Sequence, residues 1–168
     1  KAGETFEVAI GTPLSIILAS PGFLYLNEPG NEAERRRLND RELAVRLAYF
    51  LWSSPPDTEL LDLAKKNALH QPEILRQQVD RLISDQRSDR FVSGFVHQWL
   101  DMERLDFFQF DVTLHREFDE NTRAAARQEV YRSFAHLMRD HEAGRLGKLL
   151  KSDYVFINGL LATYYGID

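Results

Sequence analysis

Two histidines are each followed four residues later by an aspartate, His97 by Asp101 and His136 by Asp140. At this spacing both side chains lie on one face of a helix, where they can share a metal ion or where the carboxylate can orient the imidazole. A metal site needs three or four ligands, and each pair supplies two. An ion pair near a helix C-terminus explains the same spacing. We therefore predict no metal site, and name His97 and Asp101 as the candidates that would contribute to one.

Glu129 is the carboxylate most suited to acid–base chemistry, because Gln128 and Arg132 lie close to it on the longest predicted helix. A partly buried carboxylate can act as a catalytic acid, although half of a structural ion pair is the commoner role. We expect Glu129 to pack against an arginine. The catalytic residues stay unknown, with Glu129, His136 and Asp140 as candidates.

The sequence contains no recognisable catalytic motif. There is no Gly-rich phosphate loop, no G-x-S-x-G, no H-E-x-x-H and no C-x-x-C-H. The absence of cysteine excludes thiolate ligands, a cysteine nucleophile and covalently attached haem c within this segment. A Ser–His–Asp triad stays open, because such triads are assembled in space rather than in sequence. Whether the chain is an enzyme is therefore left uncertain.

Composition limits the possible partners. The 168 residues carry a net charge of −5, and a nucleic-acid-binding protein would show a basic excess, so we predict no nucleic-acid partner. No apolar run reaches the length of a membrane span. The start without methionine and the abrupt end predict a segment of a longer polypeptide.

The elements that must position these residues are helical throughout. We predict an all-α fold, an irregular multi-helix bundle with a central buried helix near residues 41–53. Asp40 is its expected N-cap and Pro55-Pro56 its end. Leu43, Leu47, Phe50 and Leu51 are expected to be buried, so that Leu47→Ala should cost about 2–5 kcal/mol.

Helical periodicity also predicts helices over residues 4–20, 58–66, 73–84, 89–101 and 120–141. The second half of the first is apolar on nearly all sides and is expected to be buried. Trp52 and Trp99 are expected in the core. A Phe-rich strap should lie over the bundle, with Phe107, Phe108, Phe110 and Phe118.

The polar segment with Pro29-Gly30 suggests a boundary between two parts. Residues 1–30 are interpreted as the C-terminal part of a preceding small helical domain, or as an N-terminal helix packed on the bundle. Residues 39–168 are interpreted as the main all-helical domain.

Three phrases carry a family resemblance: LAYFLWSSPPD, FVHQWL and DYVFINGLLATYYG. Together they resemble a domain of unknown function found in large planctomycete and related bacterial proteins. The resemblance covers residues from about 39 to 166. It implies an exported parent protein, periplasmic or otherwise extracytoplasmic, in which a cytochrome c-like domain lies elsewhere. It therefore implies no cofactor in this segment, with haem c possible in the parent protein, and it supplies no catalytic residues.

Three functional hypotheses follow. The first is a non-catalytic structural or interaction module, whose partners are neighbouring domains of the same polypeptide. The second is the helical part of a redox or carbohydrate-directed enzyme, using Glu129, His136 and Asp140. The third is an extracellular polymer-binding module that uses aromatic side chains of the strap from Phe107 to Phe110.

Overall fold

The computed structural model describes residues 5–25, 36–108, 111, 113–115, 118–140 and 146–167. The chain divides into two compact units, residues 1–38 and 39–168. All regular elements within the described ranges are helices, which confirms the predicted all-α class. Among these elements none is both long enough and apolar enough to cross a lipid bilayer.

The first unit contains α1 (Phe6–Leu18) and α2 (Pro21–Leu24). Pro13 lies inside α1 without ending it. The expectation that the second half of α1 is buried is wrong, since Ile16 is 66% exposed and Ile17 is 57% exposed. In the described part of this unit α1 is accompanied by the four-residue α2, which is too short to cover an apolar helix on several sides.

The second unit contains eight α-helices and a 3-10 turn within its described residues. They are α3 (Asp40–Trp52), α4 (Thr58–Lys65), α5 (Pro72–Ser84), the 3-10 turn Gln86–Ser88, α6 (Asp89–Trp99), α7 (Arg104–Phe107), α8 (Glu120–Arg139), α9 (Leu146–Leu150) and α10 (Gly159–Tyr165).

Side-chain caps fix the starts of several helices. Asp57 accepts from the Leu60 amide at the start of α4, and Asn158 accepts from the Leu161 amide at the start of α10. The predicted cap Asp40 is wrong by one residue. Asn39 caps α3 in a reciprocal capping box with Glu42. Asp40 is instead buried, and its Oδ2 accepts from the Leu69 amide at 2.6 Å.

Left-handed residues end four helices. Asn67, Asp101 and Gly166 have φ values of 51°, 51° and 67°. Each is followed by an amide that reaches back to the helix in the paired hydrogen bonds of a Schellman motif. Ser53, with φ 50°, ends α3 with one bond to the Tyr49 carbonyl. The helix predicted to reach Asp101 therefore ends at Trp99.

The main core cluster joins α3, α4 and α5. Its fully buried large side chains are Trp52, Leu60, Leu69 and Leu82. The central position of α3 is confirmed, but the prediction that Phe50 is buried is wrong, since Phe50 is 64% exposed. Leu43 and Leu47 pack against the cluster and are only partly buried. The α3 face towards the core is lined instead by Ala44, Ala48, Leu51 and Trp52.

Two arginines hold Trp52 in place. The Arg87 guanidinium carbon lies 3.3 Å from the centre of the Trp52 ring, and that of Arg81 lies 5.6 Å away. Arg81 is fixed by a bidentate pair with Asp57 at 2.7 and 3.2 Å. Arg87 is fixed by Asp85 at 3.0 and 2.7 Å. Trp52 therefore packs against two arginine side chains, each of which is fixed by an ion pair with an aspartate.

A second, smaller cluster joins α6 to α8 through Val92, Val96 and Ala135. At its edge the Arg139 side chain crosses from the end of α8 to the corner between α5 and α6. It donates to the Ile83 carbonyl at 3.1 Å, to Ser88 Oγ at 2.7 Å and to the Asp89 carboxylate. These bonds position α8 against α6.

Candidate functional site

Most of the candidate catalytic residues named from the sequence lie on one face of α8. Glu129, Arg132 and His136 follow one another at spacings of three and four residues, which places them on one side of the helix. Asp140 is the C-cap residue of the same helix. The segment after α9 contributes Phe156, which lines the space beside this face. The structure therefore brings the catalytic candidates onto a common face.

His136 and Asp140 form the predicted pair. Their Nε2 and Oδ2 atoms are 3.7 Å apart, a distance for an ion pair rather than a hydrogen bond. The imidazole also contacts two aromatic rings, with Tyr154 at 5.0 Å and Phe156 at 5.1 Å between centroids. The ring is thus held by packing on two aromatic rings and lies beside the Asp140 carboxylate.

Glu129 has a different partner from the one expected. Its Oε2 accepts from the Tyr165 hydroxyl of α10 at 2.8 Å, and the structure shows no pairing with Arg132. Burial of Tyr165, together with this hydrogen bond and the negative charge of Glu129, raises the pKa of Tyr165 to about 12. The phenol stays protonated at neutral pH and acts as a donor to the carboxylate.

Two cavities meet along this face. The larger, of about 660 Å³, lies between α6 and α8. The smaller, of about 350 Å³, lies between the first half of α8 and residues 156–160. Gln128, Arg132 and Phe156 line both cavities. Arg132 therefore stands where the two cavities adjoin.

The charged lining of the larger cavity is mainly cationic. Arg90, Arg132 and Arg139 line it, and Asp89 is the one carboxylate that lines it among the described residues. Arg90 donates to the Trp52 carbonyl at 3.3 Å, and Arg139 donates to the acceptors described above. Within the described part of the chain, Arg132 has neither a hydrogen bond nor an ion pair. Arg132 is thus the guanidinium that remains available in the cavity.

His97 and Asp101 are not brought together as a pair. Because α6 ends at Trp99, Asp101 lies in the left-handed turn and its carboxylate contacts Arg104 at 2.6 Å. His97 Nδ1 lies 2.9 Å from the Tyr131 hydroxyl of α8. Each side chain thus has a separate structural partner.

No set of three His, Asp or Glu side chains is grouped closely enough to hold a metal ion in the ranges that the structure describes. His141 and Glu142 adjoin the His136–Asp140 pair in sequence and lie outside those ranges. Among the described candidates, the structure therefore brings together one pair, His136 and Asp140.

Sequence reasoning missed a row of aromatic rings, three of them exposed, which we call the aromatic ladder: Phe50, Phe91, Phe95, Trp99 and Phe134. Successive rings from Phe50 to Trp99 are 4.9, 5.5 and 5.6 Å apart, and Phe134 lies 5.8 Å from Phe95. The prediction that Trp99 is a core residue is wrong, because it is 51% exposed.

The signal for the aromatic ladder is present in the sequence of α6. Phe91, Phe95 and Trp99 form one row at a spacing of four residues, and Val92 and Val96 form the row beside it. The two valines are buried in the cluster with α8. The wide apolar face of α6 thus extends from the core onto the surface.

The described part of the Phe-rich strap is exposed at Phe107 and Phe108 and partly buried at Phe118. Phe107 is 76% exposed and Phe108 is 61% exposed, so the expectation that they cover the bundle is wrong for these two residues. Phe118 is partly buried and packs against Tyr164 at 5.4 Å. Phe110 lies outside the described residues.

Comparison with protein families gives one match, over residues 38–167, to the model described as "Protein of unknown function (DUF1592)", PSD4. The match covers the second unit almost completely. No curated protein and no solved structure matches the chain.

Proposed function

We propose that this chain, which belongs to the PSD4 family of proteins of unknown function, is a non-catalytic interaction module that binds a neighbouring domain of its own polypeptide. The aromatic ladder is the surface that makes the contact. The parent protein is exported, and haem c, where present, belongs to another of its domains. The resemblance of the three sequence phrases supports this setting.

The aromatic ladder is the observation that carries the proposal. Phe50, Phe95 and Trp99 are 64%, 44% and 51% exposed, and together with Phe91 they form one continuous row of contacting rings. A contiguous exposed apolar patch on a folded domain marks an interaction surface more often than scattered apolar residues do. Aromatic side chains are also enriched among the residues that contribute most to binding.

The row is held rigidly before any partner binds. Phe91 is partly buried and packs against both core clusters, so it anchors the row from below. Phe134 of α8 contacts both Phe95 and Trp99, the latter at 6.2 Å. Rings that are already ordered lose little conformational entropy on association, which favours binding.

The catalytic candidates support the same conclusion, because each has a structural partner. Glu129 accepts from Tyr165, and His136 lies between Asp140 and two aromatic rings. Such contacts stabilise helix packing without requiring a substrate.

Hydroxyl-radical footprinting tests the proposal, because it measures the solvent accessibility of individual side chains. The oxidation rates of Phe50, Phe95 and Trp99 are compared between this chain and the longer polypeptide predicted to contain it. We expect all three to be protected in the longer polypeptide. Phe107, 76% exposed in the second unit and outside the aromatic ladder, serves as a reference ring. Equal oxidation rates of Phe50, Phe95 and Trp99 in both proteins would exclude the aromatic ladder as a contact surface.

A second candidate function rests on the exposure of Phe107 and Phe108, which suits binding to an extracellular polymer. Retention on polysaccharide columns that is lost in Phe107→Ser would support polymer binding, and elution in the void volume would exclude it.

The enzyme hypothesis has a separate test in the longer polypeptide. If Glu129→Gln, His136→Ala and Asp140→Asn leave every measured turnover intact, these residues are not catalytic.

A further inference from the structure

Arg132 is distinctive among the cationic side chains of the cavity between α6 and α8. Arg90 and Arg139 use their guanidinium groups to bind protein acceptors, and Arg132 has no such acceptor among the described residues. Gln128, which also lines both cavities, has no side-chain hydrogen bond among the described residues either. The two side chains lie four residues apart on α8 and therefore face the same space.

The carboxylates around the cavities already have donors. Asp89 accepts from Arg139, and Glu129 accepts from Tyr165. Asp140 lies beside His136, further along α8. Three arginines, Arg90, Arg132 and Arg139, and the carboxylate of Asp89 line the larger cavity. Its charged lining is therefore net positive even when His136 is counted as neutral, although the chain has a net charge of −5.

The rest of the lining is apolar and aromatic. Val92, Ala135, Tyr131 and Phe156 line the larger cavity, and Ala125, Ile157 and Leu160 line the smaller. A concave site with an apolar lining and a few convergent polar groups is typical of small-molecule binding. The larger cavity, of about 660 Å³, has the volume for a molecule the size of a substituted aromatic ring.

We propose that this cavity binds a small organic anion, in which Arg132 holds a carboxylate or phosphate group and Phe156 contacts an apolar body. A guanidinium presents two parallel N–H donors that match either anionic group. The Gln128 amide supplies a further donor to the same group. The cavity and the aromatic ladder share no lining residue, so this binding function is separate from the proposed docking of a neighbouring domain.

The test uses the chain as it stands and four probes at millimolar concentration, followed by amide chemical shifts in NMR. The probes are 3-phenylpropionate, its uncharged amide 3-phenylpropionamide, phenyl phosphate and inorganic phosphate. We expect 3-phenylpropionate or phenyl phosphate to shift amides of residues 128–136 and 156 in a saturable manner. The amide should bind at least about tenfold more weakly, as expected for loss of a charge-assisted pair. Whichever of the two anions binds more tightly identifies the preferred anionic group.

Two variants assign the effect to one side chain. Arg132→Gln should weaken binding of the better anion by about tenfold or more. Arg76→Gln, which changes an exposed arginine of α5 outside both cavities, should leave the affinity unchanged. Both arginines are exposed, so both variants are expected to fold, which the dispersion of the amide spectrum checks.

Several results would overturn the proposal. They are equal affinities for the acid and the amide, unchanged binding in Arg132→Gln, or no saturable shift with any probe. A response to inorganic phosphate as strong as that to phenyl phosphate would also contradict it, because the apolar lining would then contribute nothing. Loss of binding in Arg132→Gln leaves the footprinting test of the aromatic ladder unaffected, so the two proposals fail independently.

Discussion

The Trp52 indole Nε1 donates to the Leu82 carbonyl at 2.9 Å, a buried hydrogen bond that links the end of α3 to the last turn of α5. The bond satisfies a polar atom in a side chain that is 0% exposed. The same ring is stacked on the Arg87 guanidinium. Trp52 therefore links the apolar core to the arginine–aspartate pairs beside it.

We predict that Trp52→Ala destabilises the domain by about 3–5 kcal/mol, because it creates a large cavity and leaves the Leu82 carbonyl without its donor. The measurement is the free energy of unfolding from a urea titration followed by circular dichroism. Trp99→Ala is the matched control, since Trp99 is 51% exposed, and it should cost about 2 kcal/mol or less. Equal losses in the two variants would contradict the assignment of Trp52 to the core.

Leu60→Ala and Leu47→Ala should differ. Leu60 is 0% exposed in the main core cluster, so its truncation should cost about 2–5 kcal/mol. Leu47 is only partly buried, so we expect its truncation to cost about 1–2 kcal/mol, less than the figure of about 2–5 kcal/mol predicted from the sequence. The same urea titration measures the free energy of unfolding of both variants. A larger loss for Leu47 would show that the α3 face carrying Leu47 is packed more deeply than the structure shows.

The Asp85–Arg87 pair predicts a dependence of stability on acid pH. Hydrogen bonds from Arg87 to the carboxylate lower the pKa of Asp85 from 3.8 to about 2. Ionised Asp85 therefore favours the folded state, and its contribution is complete above pH 3.8 and is lost as the pH falls to about 2. The stability difference between wild type and Asp85→Asn should be largest at neutral pH and should shrink over that range.

Asp62→Asn is the control for this experiment, because it removes an exposed pair with Lys65 and should change the free energy of unfolding by less than about 1 kcal/mol. A difference between wild type and Asp85→Asn that stays constant from neutral pH down to about 2 would rule out the proposed linkage.

The Glu129–Tyr165 hydrogen bond is tested at alkaline pH. The pKa of Tyr165 is raised from 10.0 to about 12, first by burial and then by Glu129. Its protonated form favours the folded state, so this contribution is present below pH 10.0 and is lost as the pH approaches 12. In a spectrophotometric tyrosine titration, the component missing from Tyr165→Phe should therefore titrate near pH 12 rather than at the 10.0 of an unshifted phenol.

Glu129→Gln should move that component to lower pH without bringing it fully to 10.0, because burial of the phenol remains. Glu73→Gln, an exposed substitution in the first turn of α5, should leave it in place. An unchanged Tyr165 titration in Glu129→Gln would show that the carboxylate does not accept from the phenol in solution.

Asn67 ends the α4 region with φ 51°, a conformation that glycine and asparagine adopt more readily than alanine. We predict that Asn67→Ala destabilises the domain by about 1 kcal/mol, whereas Asn67→Gly leaves the stability unchanged or slightly higher. Thermal unfolding of the two variants side by side measures the difference. Equal stabilities would indicate that the turn relaxes to negative φ.

The helices and most of their ends could be predicted because their causes are local in sequence. Asp57, Asn158 and Gly166 act through neighbours within five residues, so their types and positions suffice. The prediction of Asp40 as the N-cap of α3 is wrong because Asn39, one residue earlier, can also cap a helix. The pattern Asn39-x-x-Glu42 is the better signature, since it matches a capping box.

The exposure of apolar residues could not be predicted in the same way. Phe50 and Trp99 continue helical stripes that begin in the core, and periodicity does not show where the covering elements stop. Contacts between residues distant in sequence could not be predicted either. Nothing local to Glu129 indicates that its donor is Tyr165 on α10, and the contact depends on how α10 packs on α8.

The main core cluster has a consequence for how the chain folds during synthesis. Its buried members all lie between Ala44 and Leu82, so their contacts span short distances in sequence. Short separations lower the entropy lost on closing the intervening loops and favour rapid folding. A nascent chain can therefore assemble α3, α4 and α5 around Trp52 before α8 has been translated, and α8 then docks on a preformed subdomain.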